Sequence, residues 1–227
     1  MIAKDEQTRR PFVTVKFAQS LDGRIATSTG DSRWISGDSG LRLAHKLRRE
    51  HDAILVGIGT VLADDPQLTV RLLKGRDPLR VIIDSRLRTP LTARVLTEGA
   101  AAGTLIATTT TVDQSRAREI QNLGVEILRL PVAHSGAGID IVRLLDELGY
   151  RGIASVLVEG GKGIITSLLA ARVVDRLIVV IAPKIIGQGT EAIGNLGIDK
   201  LSDAITFSAV KIRRLGDDVL FDGRLKG

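Results

Sequence analysis

The sequence predicts an α/β fold with a mostly parallel central sheet, flanking helices and an antiparallel hairpin at the C-terminus. Short apolar segments alternate with amphipathic segments along most of the chain, and this alternation is typical of parallel sheets. Residues 205–215 and 219–225 lie on either side of the turn Gly216-Asp217-Asp218, which predicts a hairpin. The chain has 227 residues, of which 44% are hydrophobic, so it can bury a large core.

The individual elements follow from local periodicity. Apolar runs predict strands at residues 12–18, 53–56, 80–83, 104–107, 125–130, 155–158 and 177–183. Apolar residues three and four positions apart predict helices at residues 37–51, 113–123, 140–148 and 164–171, with one helical turn at 60–63. Gly124 and Gly149 are predicted to end two of these helices, because glycine readily adopts the left-handed conformation found there. Since no linker or internal repeat is visible, we expect a single domain over residues 1–227, with residues 1–10 as a flexible N-terminal extension.

The composition excludes several classes of site. The chain has no cysteine, which excludes disulfides, thiolate catalysis and cysteine-ligated zinc. His45, His51 and His134 lack metal-ligand spacing, so no metal is expected. The longest apolar run, residues 177–182, is far shorter than the roughly 20 residues that cross a bilayer. The N-terminus lacks the apolar core of a signal peptide, so we expect a cytoplasmic protein with no membrane partner.

The net charge of +6 has two readings. One is a basic soluble surface, and the other is a site for polyanionic ligands. A nucleic-acid partner is disfavoured, because aromatic residues make up only 3% of the chain and no basic run tracks a backbone. Small phosphorylated ligands remain open.

Two predicted strands lead into glycine-containing turns. Residues 155–158 are followed by Glu159-Gly160-Gly161-Lys162-Gly163, and residues 53–56 by Gly57-Ile58-Gly59-Thr60. Such a turn before a helix can hold a phosphate with backbone N–H groups and the helix dipole, or it can be an ordinary turn or cap. The segment of residues 161–166 lacks the third glycine of the dinucleotide fingerprint and lies late in the chain, which disfavours a standard Rossmann fold.

Other polar residues also follow strands. Asp84, Ser85 and Arg86 come directly after Ile83, where a serine and an arginine can recognise the 2′-phosphate of NADP or decorate the surface. Trp34 is the only tryptophan, and it either covers a cofactor or fills the core.

Taken in order, these segments resemble the reductase family of riboflavin biosynthesis. That family includes the C-terminal half of the bacterial bifunctional deaminase-reductase and the stand-alone archaeal and fungal reductases of 2,5-diamino-6-ribosylamino-4(3H)-pyrimidinone 5′-phosphate. The matching segments are residues 15–24, 31–35, 54–66, 68–71, 80–85, 157–161 and 181–184. The most specific of them is Thr60-Val61-Leu62-Ala63-Asp64-Asp65-Pro66.

The resemblance implies a dihydrofolate-reductase-like fold, NADPH as cofactor and a homodimer. It implies that the cofactor is lined by Ala18, Trp34, Thr60, Asp64, Ser85, Gly160, Gly161, Lys162 and Gly163. The substrate would meet Ser32, Arg48, Leu68, Arg71 and Glu159. Arg48 and Arg71 suit the substrate phosphate, because guanidinium groups pair with phosphate oxygens.

The implied reaction opens the ribose ring to an imine, and NADPH delivers hydride to C1′ to leave a ribityl chain. Asp64, Lys16 and Glu159 are the candidates for binding sugar hydroxyls or assisting proton movement. The stand-alone form and residues 56–59 favour the diamino substrate, whereas residues 31–35 resemble the bacterial type, which reduces 5-amino-6-(5-phosphoribosylamino)uracil. A reductase of the same fold with another substrate and a non-catalytic NADP-binding protein are further alternatives.

Overall fold

A computed structural model describes residues 10–97, 99–133, 136 and 138–226. The chain forms two compact units, each made of two segments. Among the described residues, the first unit contains residues 10–12 and those between 48 and 157, and the second contains residues 13–47 and 158–226. His134 and residues 1–9 of the predicted extension lie outside the described residues. The expectation of a single domain stays a prediction.

The helices and strands are short and closely spaced. The strands are β1 (Phe12–Ser20), β2 (Arg24–Thr27), β3 (Ala53–Gly57), β4 (Leu79–Ile83), β5 (Thr104–Thr109), β6 (Glu126–Leu130), β7 (Ser155–Val158), β8 (Arg176–Ala182), β9 (Gly189–Glu191), β10 (Phe207–Leu215) and β11 (Asp218–Leu225). The α-helices are α1 (Asp38–Glu50), α2 (Ile58–Asp64), α3 (Gln114–Gln121), α4 (Ile141–Tyr150) and α5 (Lys162–Ala170). Two short 3₁₀ helices cover Ala101–Gly103 and Leu201–Asp203.

The first unit is built on parallel strands in the order β7-β3-β4-β5-β6. Their apolar side chains are almost fully buried in β3, β4 and β5, as expected for parallel strands covered on both faces. The carboxylate of Asp52 accepts hydrogen bonds from the backbone of Ala154 (3.0 Å) and Ser155 (2.9 Å) and from the Ser155 hydroxyl (3.0 Å). This carboxylate joins the residue before β3 to the start of β7.

The second unit combines parallel and antiparallel pairing in the order β10-β11-β8-β1. β1 and β8 are parallel, whereas β11 is antiparallel to both β8 and β10. β2 and β9 form a separate two-stranded antiparallel sheet. Arg176 on β8 donates two hydrogen bonds, of 2.8 and 2.6 Å, to Asp222 on β11, and this guanidinium lowers the pKa of Asp222 despite partial burial.

The structure confirms the predicted α/β class and the C-terminal hairpin. Gly124 has a left-handed φ of +91° after α3, as expected. The predicted end of a helix at Gly149 is wrong, because α4 continues to Tyr150 and the left-handed residue is Gly152, with φ of +82°. The prediction failed because the backbone at Gly149 stays helical, and an unstrained glycine gives no local stop.

Three other differences concern short elements. The single turn predicted at 60–63 is a seven-residue helix, α2, and α5 begins two residues before the predicted start. Sequence patterns did not predict β2 and β9. These strands are only half-buried or exposed, so no apolar run marks them.

Candidate active site

In the first unit, the turn after β3 and the loop after β4 start side by side. Gly57 at the end of β3 pairs in register with Ile83 at the end of β4. Gly57 caps the N-terminus of α2 without a side-chain hydrogen bond, so the first backbone N–H groups of this helix have no side-chain acceptor. Thr60 is half-buried on this helix, and Asp64 is exposed at its last residue. The structure therefore brings the helix and the loop after β4 to one edge of the parallel strands.

The loop after β4 is organised by a buried carboxylate. Asp84 is fully buried and accepts hydrogen bonds from the backbone N–H of Thr89 (2.7 Å) and from its hydroxyl (2.8 Å). Arg116 on α3 donates to the carbonyl of Thr89 (2.8 Å). Ser85 is half-buried and its carbonyl accepts from Thr109, while Arg86 is exposed. Asp84 thus stabilises the conformation of the loop, and this conformation leaves Ser85 partly and Arg86 largely accessible.

Arginine side chains come together elsewhere in the first unit. Arg48 donates to the carbonyl of Thr69 (3.3 Å), and Arg71 donates to Gln67 (2.7 Å) and to the hydroxyl of Thr69 (3.3 Å). Desolvation is the main cause that lowers the pKa of Arg71, and repulsion by the charges of Arg48 and Arg94 lowers it further. The predicted pair Arg48 and Arg71 therefore lies within electrostatic reach.

The segment before Arg71 has an unusual backbone. Leu68 has a left-handed φ of +56°, and its side chain is only 2% exposed. The side chain of Leu68 is therefore part of the core, so this residue has only its backbone to offer a substrate.

In the second unit, the glycine-rich turn after β7 leads directly into α5. Gly161 is the N-cap in an extended conformation, and no side chain caps the helix. A Cβ atom added at Gly161 or Gly163 would meet nothing within 4 Å. Open space beside uncapped backbone N–H groups is what a phosphate at a helix N-terminus needs. Glu159 and Gly160, which precede the helix, are half-buried.

Lys162 at the start of α5 is held by a carboxylate. Its ammonium group lies 3.1 Å from Glu191, which also pairs with Arg24 at 3.1 Å. The hydrogen bond from Lys162, followed by that from Arg24, lowers the pKa of Glu191. Two cations share one carboxylate here, so this group of three side chains carries a net positive charge.

The remaining predicted residues of the second unit lie on β1 and in the segment after β2. Lys16 and Ala18 are half-buried on β1, Ser32 is half-buried, and Trp34 is 69% exposed. Lys184 donates to the carbonyl of Trp34 (2.6 Å). The structure thus gives Trp34 an open ring rather than the core position that was its alternative.

Asp22 connects the turn after β1 with the segment after β8. Its carboxylate accepts from the Ser20 hydroxyl (2.6 Å) and from the backbone N–H groups of Ile186 (3.1 Å) and Gly187 (2.6 Å). These hydrogen bonds, that from Ser20 first, lower the pKa of Asp22 to about 2. The carboxylate thus fixes the segment that contains Lys184.

Sequence reasoning missed Arg94, Glu191 and Lys184 as neighbours of the predicted residues. Arg94 comes from a loop without any motif, and its place beside Arg71 depends on the fold. Lys184 lies in a segment that matched the resemblance, so only that match gave a signal for it. Among the described residues, no group of three or more His, Asp or Glu side chains is arranged to hold a metal. No helix in the described part of the chain has the length and apolar character needed to cross a bilayer.

Comparison with known proteins identifies the family. Residues 11–221 match the model of the RibD C-terminal domain. The chain belongs to the RibD C-terminal domain family. It is 39% identical over 212 residues to the riboflavin biosynthesis protein RibD of Aquifex aeolicus, covering 93% of this chain and 57% of that protein. The chain thus spans little more than half the length of this relative.

A second relative is matched over its whole length. The 2,5-diamino-6-ribosylamino-4(3H)-pyrimidinone 5′-phosphate reductase of Methanothermobacter thermautotrophicus is 40% identical over 225 residues, covering 96% of this chain and 100% of that protein. This RibD-family chain is therefore similar both to part of a longer RibD protein and to a reductase of its own length.

Solved structures agree with the fold. RibD of Acinetobacter baumannii superposes with a TM-score of 0.83 and 30% identity over 96% of this chain and 59% of that one. The Saccharomyces cerevisiae riboflavin biosynthesis reductase Rib7 gives a TM-score of 0.76 and 27% identity over 98% and 93% of the two chains. The dihydrofolate reductase of Enterococcus faecalis has the same fold at 12% identity and a TM-score of 0.53, over 95% and 97%. The predicted dihydrofolate-reductase-like fold is confirmed.

We expect Asp22→Asn to destabilise the protein at neutral pH, because a neutral amide accepts more weakly from the three donors around Asp22. The lowered pKa means that the carboxylate stabilises the fold fully above its unfolded-state pKa, and that this contribution is lost as the pH falls through about 2. The difference in free energy of unfolding between wild type and variant should be constant at neutral pH and shrink below about pH 4. Urea denaturation across this range measures it.

The matched control is Asp199→Asn, an exposed aspartate of the same unit, which should change stability little. If the effect of Asp22→Asn were the same at every pH, the carboxylate would not be the source of the stabilisation.

Proposed function

We propose that the chain is a reductase that uses NADPH to convert the ribosylamino side chain of a pyrimidine 5′-phosphate to ribitylamino, a step of riboflavin biosynthesis. The observation that carries the proposal is the match, at 40% identity, over the full length of the M. thermautotrophicus reductase. The preferred substrate is the diamino-pyrimidinone named for that relative. A cytoplasmic location stays a prediction.

A second substrate has its own support. The RibD proteins match at similar identity, 39% for A. aeolicus, and residues 31–35 resemble the bacterial type. 5-Amino-6-(5-phosphoribosylamino)uracil is therefore the alternative substrate of the same reaction.

Residues in each unit, taken separately, fit parts of a phosphate-bearing dinucleotide. The uncapped start of α5 and the open space at Gly161 and Gly163 suit the pyrophosphate. Ser85 and Arg86 suit the 2′-phosphate, because guanidinium pairs with phosphate oxygens. When bound, NADPH supplies the hydride that reduces C1′. The further proposed cofactor residues are Ala18, Trp34, Thr60, Asp64, Ile83, Gly160 and Lys162, with Asp84 acting through the loop that it holds.

The substrate phosphate is assigned to the arginines of the first unit. Arg48 and Arg71 lie within electrostatic reach of each other, and an anion between them would relieve their repulsion. Ser32 and Glu159, together with the backbone of Leu68, are proposed to contact the remainder of the substrate.

Three side chains are proposed to assist proton movement. Asp64 is exposed, and Lys16 and Glu159 are half-buried. A carboxylate or amine near the opening sugar ring can hold a hydroxyl in place and exchange a proton with it. The proposal gives these roles to Asp64, Lys16 and Glu159 jointly.

The deciding experiment measures loss of NADPH absorbance with the two pyrimidine phosphates in parallel. A higher kcat/KM with the diamino-pyrimidinone supports the preferred substrate, and a higher value with the amino-uracil supports the alternative. If NADPH is oxidised with neither compound, the proposed reaction is overturned. The chain would then be an NADP-binding protein or a reductase that acts on another substrate.

We expect Asp64→Ala to lower kcat by about 100-fold or more, since general acid–base assistance contributes at least that much. The free energy of unfolding should change far less, because Asp64 is exposed at the end of α2. Steady-state kinetics and urea denaturation of the same preparation give both values. Asp146→Ala on α4 is the control for loss of a carboxylate. Unchanged turnover would remove Asp64 from the mechanism.

We also propose a homodimer in which β10 contributes to the contact. β10 pairs only with β11 among the described strands, and its side chains from Ser208 to Arg214 are exposed. Val210 and Ile212 are 46% and 68% exposed. Apolar side chains on an unpaired strand edge favour association with another chain.

In sedimentation velocity, Ile212→Glu should shift the protein from dimer to monomer, because a charge would have to be desolvated in the contact. Leu123→Glu, on an exposed leucine of the first unit, is the control. A wild-type protein that sediments as a monomer would contradict the proposal directly.

A further inference from the structure

A cleft of about 620 Å³ lies at the starts of β4 and β5 in the first unit. It is thus at the opposite end of β4 from Ser85 and Arg86, which follow the strand. Its charged lining residues are Arg71, Arg76, Arg80, Arg94 and Asp77. Four guanidinium groups face one carboxylate, so the cleft has a strong positive charge. Of these residues, only Arg71 belongs to the proposed substrate site.

Arg80 is a buried cation whose hydrogen bonds to the described residues are to neutral acceptors. Its side chain lies in the wall of the cleft at 5% exposure. It donates to the hydroxyl of Thr104 (3.0 Å) and to the carbonyl of Ala100, and no ion pair joins it to a described carboxylate. Burial lowers its pKa, against the smaller opposing effect of Asp77. A buried charge that forms no ion pair is costly, and an anion in the cleft would offset that cost.

The other arginines of the cleft add to its positive electrostatic potential. Arg94 is close enough to Arg71 to lower the pKa of Arg71 by repulsion, and Arg76 and Arg94 are both exposed. The backbone of Arg94 is fixed, since its N–H donates to the carboxylate of Asp65 (2.9 Å). Like charges brought this close are stabilised by a shared anion.

The single carboxylate of the lining is already engaged. Asp77 accepts a hydrogen bond of 2.7 Å from the backbone N–H of Val70. It therefore anchors the segment that contains Arg71. Its single negative charge cannot neutralise the four arginines. The remaining positive charge is left for a ligand.

We propose that this cleft is a binding site for a phosphate-bearing anion, held by the guanidinium groups of Arg76, Arg80 and Arg94 together with Arg71. Planar guanidinium groups bind phosphate oxygens in pairs, and a cleft of this volume takes a phosphate with an organic group attached. The phosphate is either that of the pyrimidine substrate or that of a separate phosphorylated ligand. The site itself does not depend on the proposed reaction.

The test is calorimetric titration of the full-length chain with inorganic phosphate, at an ionic strength held constant with chloride. The variants are Arg94→Gln and Arg76→Gln, whose exposed side chains can be shortened without opening the core. The control is Arg143→Gln, an exposed arginine on α4 of the same unit, which makes the same change in net charge. Arg80→Lys keeps the buried charge but removes the paired donors of the guanidinium.

We expect Arg94→Gln to weaken phosphate binding by about tenfold, the usual effect of losing a hydrogen bond to a charged group. Arg76→Gln should weaken it in the same direction, and Arg143→Gln should leave it unchanged. If wild type fails to bind phosphate, or if Arg94→Gln and Arg76→Gln bind it as well as wild type, the proposal is overturned. Weaker binding by Arg143→Gln as well would reduce the effect to net charge and would overturn it too.

Kinetics with Arg94→Gln distinguish the two sources of the phosphate. A raised KM for the pyrimidine phosphate with unchanged kcat identifies the substrate phosphate as the ligand. An unchanged KM together with weakened phosphate binding identifies a separate phosphorylated ligand. Both results support the site. Since the titration uses neither NADPH nor pyrimidine, its outcome stands even if the proposed reaction fails.

Discussion

The register of the parallel strands is the constraint on which the predicted ligand-binding residues of the first unit depend. Gly57 pairs with Ile83, and Ile83 pairs with Ala107, so β3 and β4 end together and β5 ends two residues further on, at Thr109. The turns that follow these strands therefore leave from one edge. A slip of one residue would move every side chain of a strand to the opposite face. Because both faces of these strands are buried and closely packed, a slip would disrupt the packing on each face, and the positions of α2 and the Asp84 loop are fixed by the register.

What the sequence could predict follows from the same burial. Fully buried parallel strands appear as continuous apolar runs, and their predicted limits agree with the structure to within about two residues. β2 and β9 have no buried face and thus no pattern to read. A glycine near a helix end commonly caps it, which predicts that α4 ends at Gly149, yet the left-handed residue after α4 is Gly152. Individual glycines are weak guides where the next residues continue the helix.

The candidate site also contains residues that the sequence can predict and residues whose roles it cannot. Residues next to strand ends, such as Ser85 and Gly161, can be found from sequence, because parallel topology fixes where strand ends lie. The roles of Asp84 and Lys162 could not be read in this way. Asp84 is next to a strand end but uses its carboxylate to build its own loop, and Lys162 is engaged by Glu191, 29 residues further along the chain. The grouping of Arg94 with Arg71 arises from two loops without regular structure, so no periodicity marks it.

The two proposed anion-binding sites of this chain would rely on different interactions. At α5, neutral backbone N–H groups and the helix dipole act over the first turn of the helix only, and this requires glycine to allow close approach. At the starts of β4 and β5, full charges act over several ångströms, so the ligand need not approach the protein as closely. Other interactions within the fold must then offset the repulsion among the arginines. Arg80 donates hydrogen bonds to Thr104 and Ala100, and the backbone N–H groups of Arg94 and Val70 donate to the carboxylates of Asp65 and Asp77. These hydrogen bonds offset that repulsion. They hold the cations near one another, with Arg80 buried and Arg76 and Arg94 exposed, and an anion would stabilise such an arrangement more than further packing would.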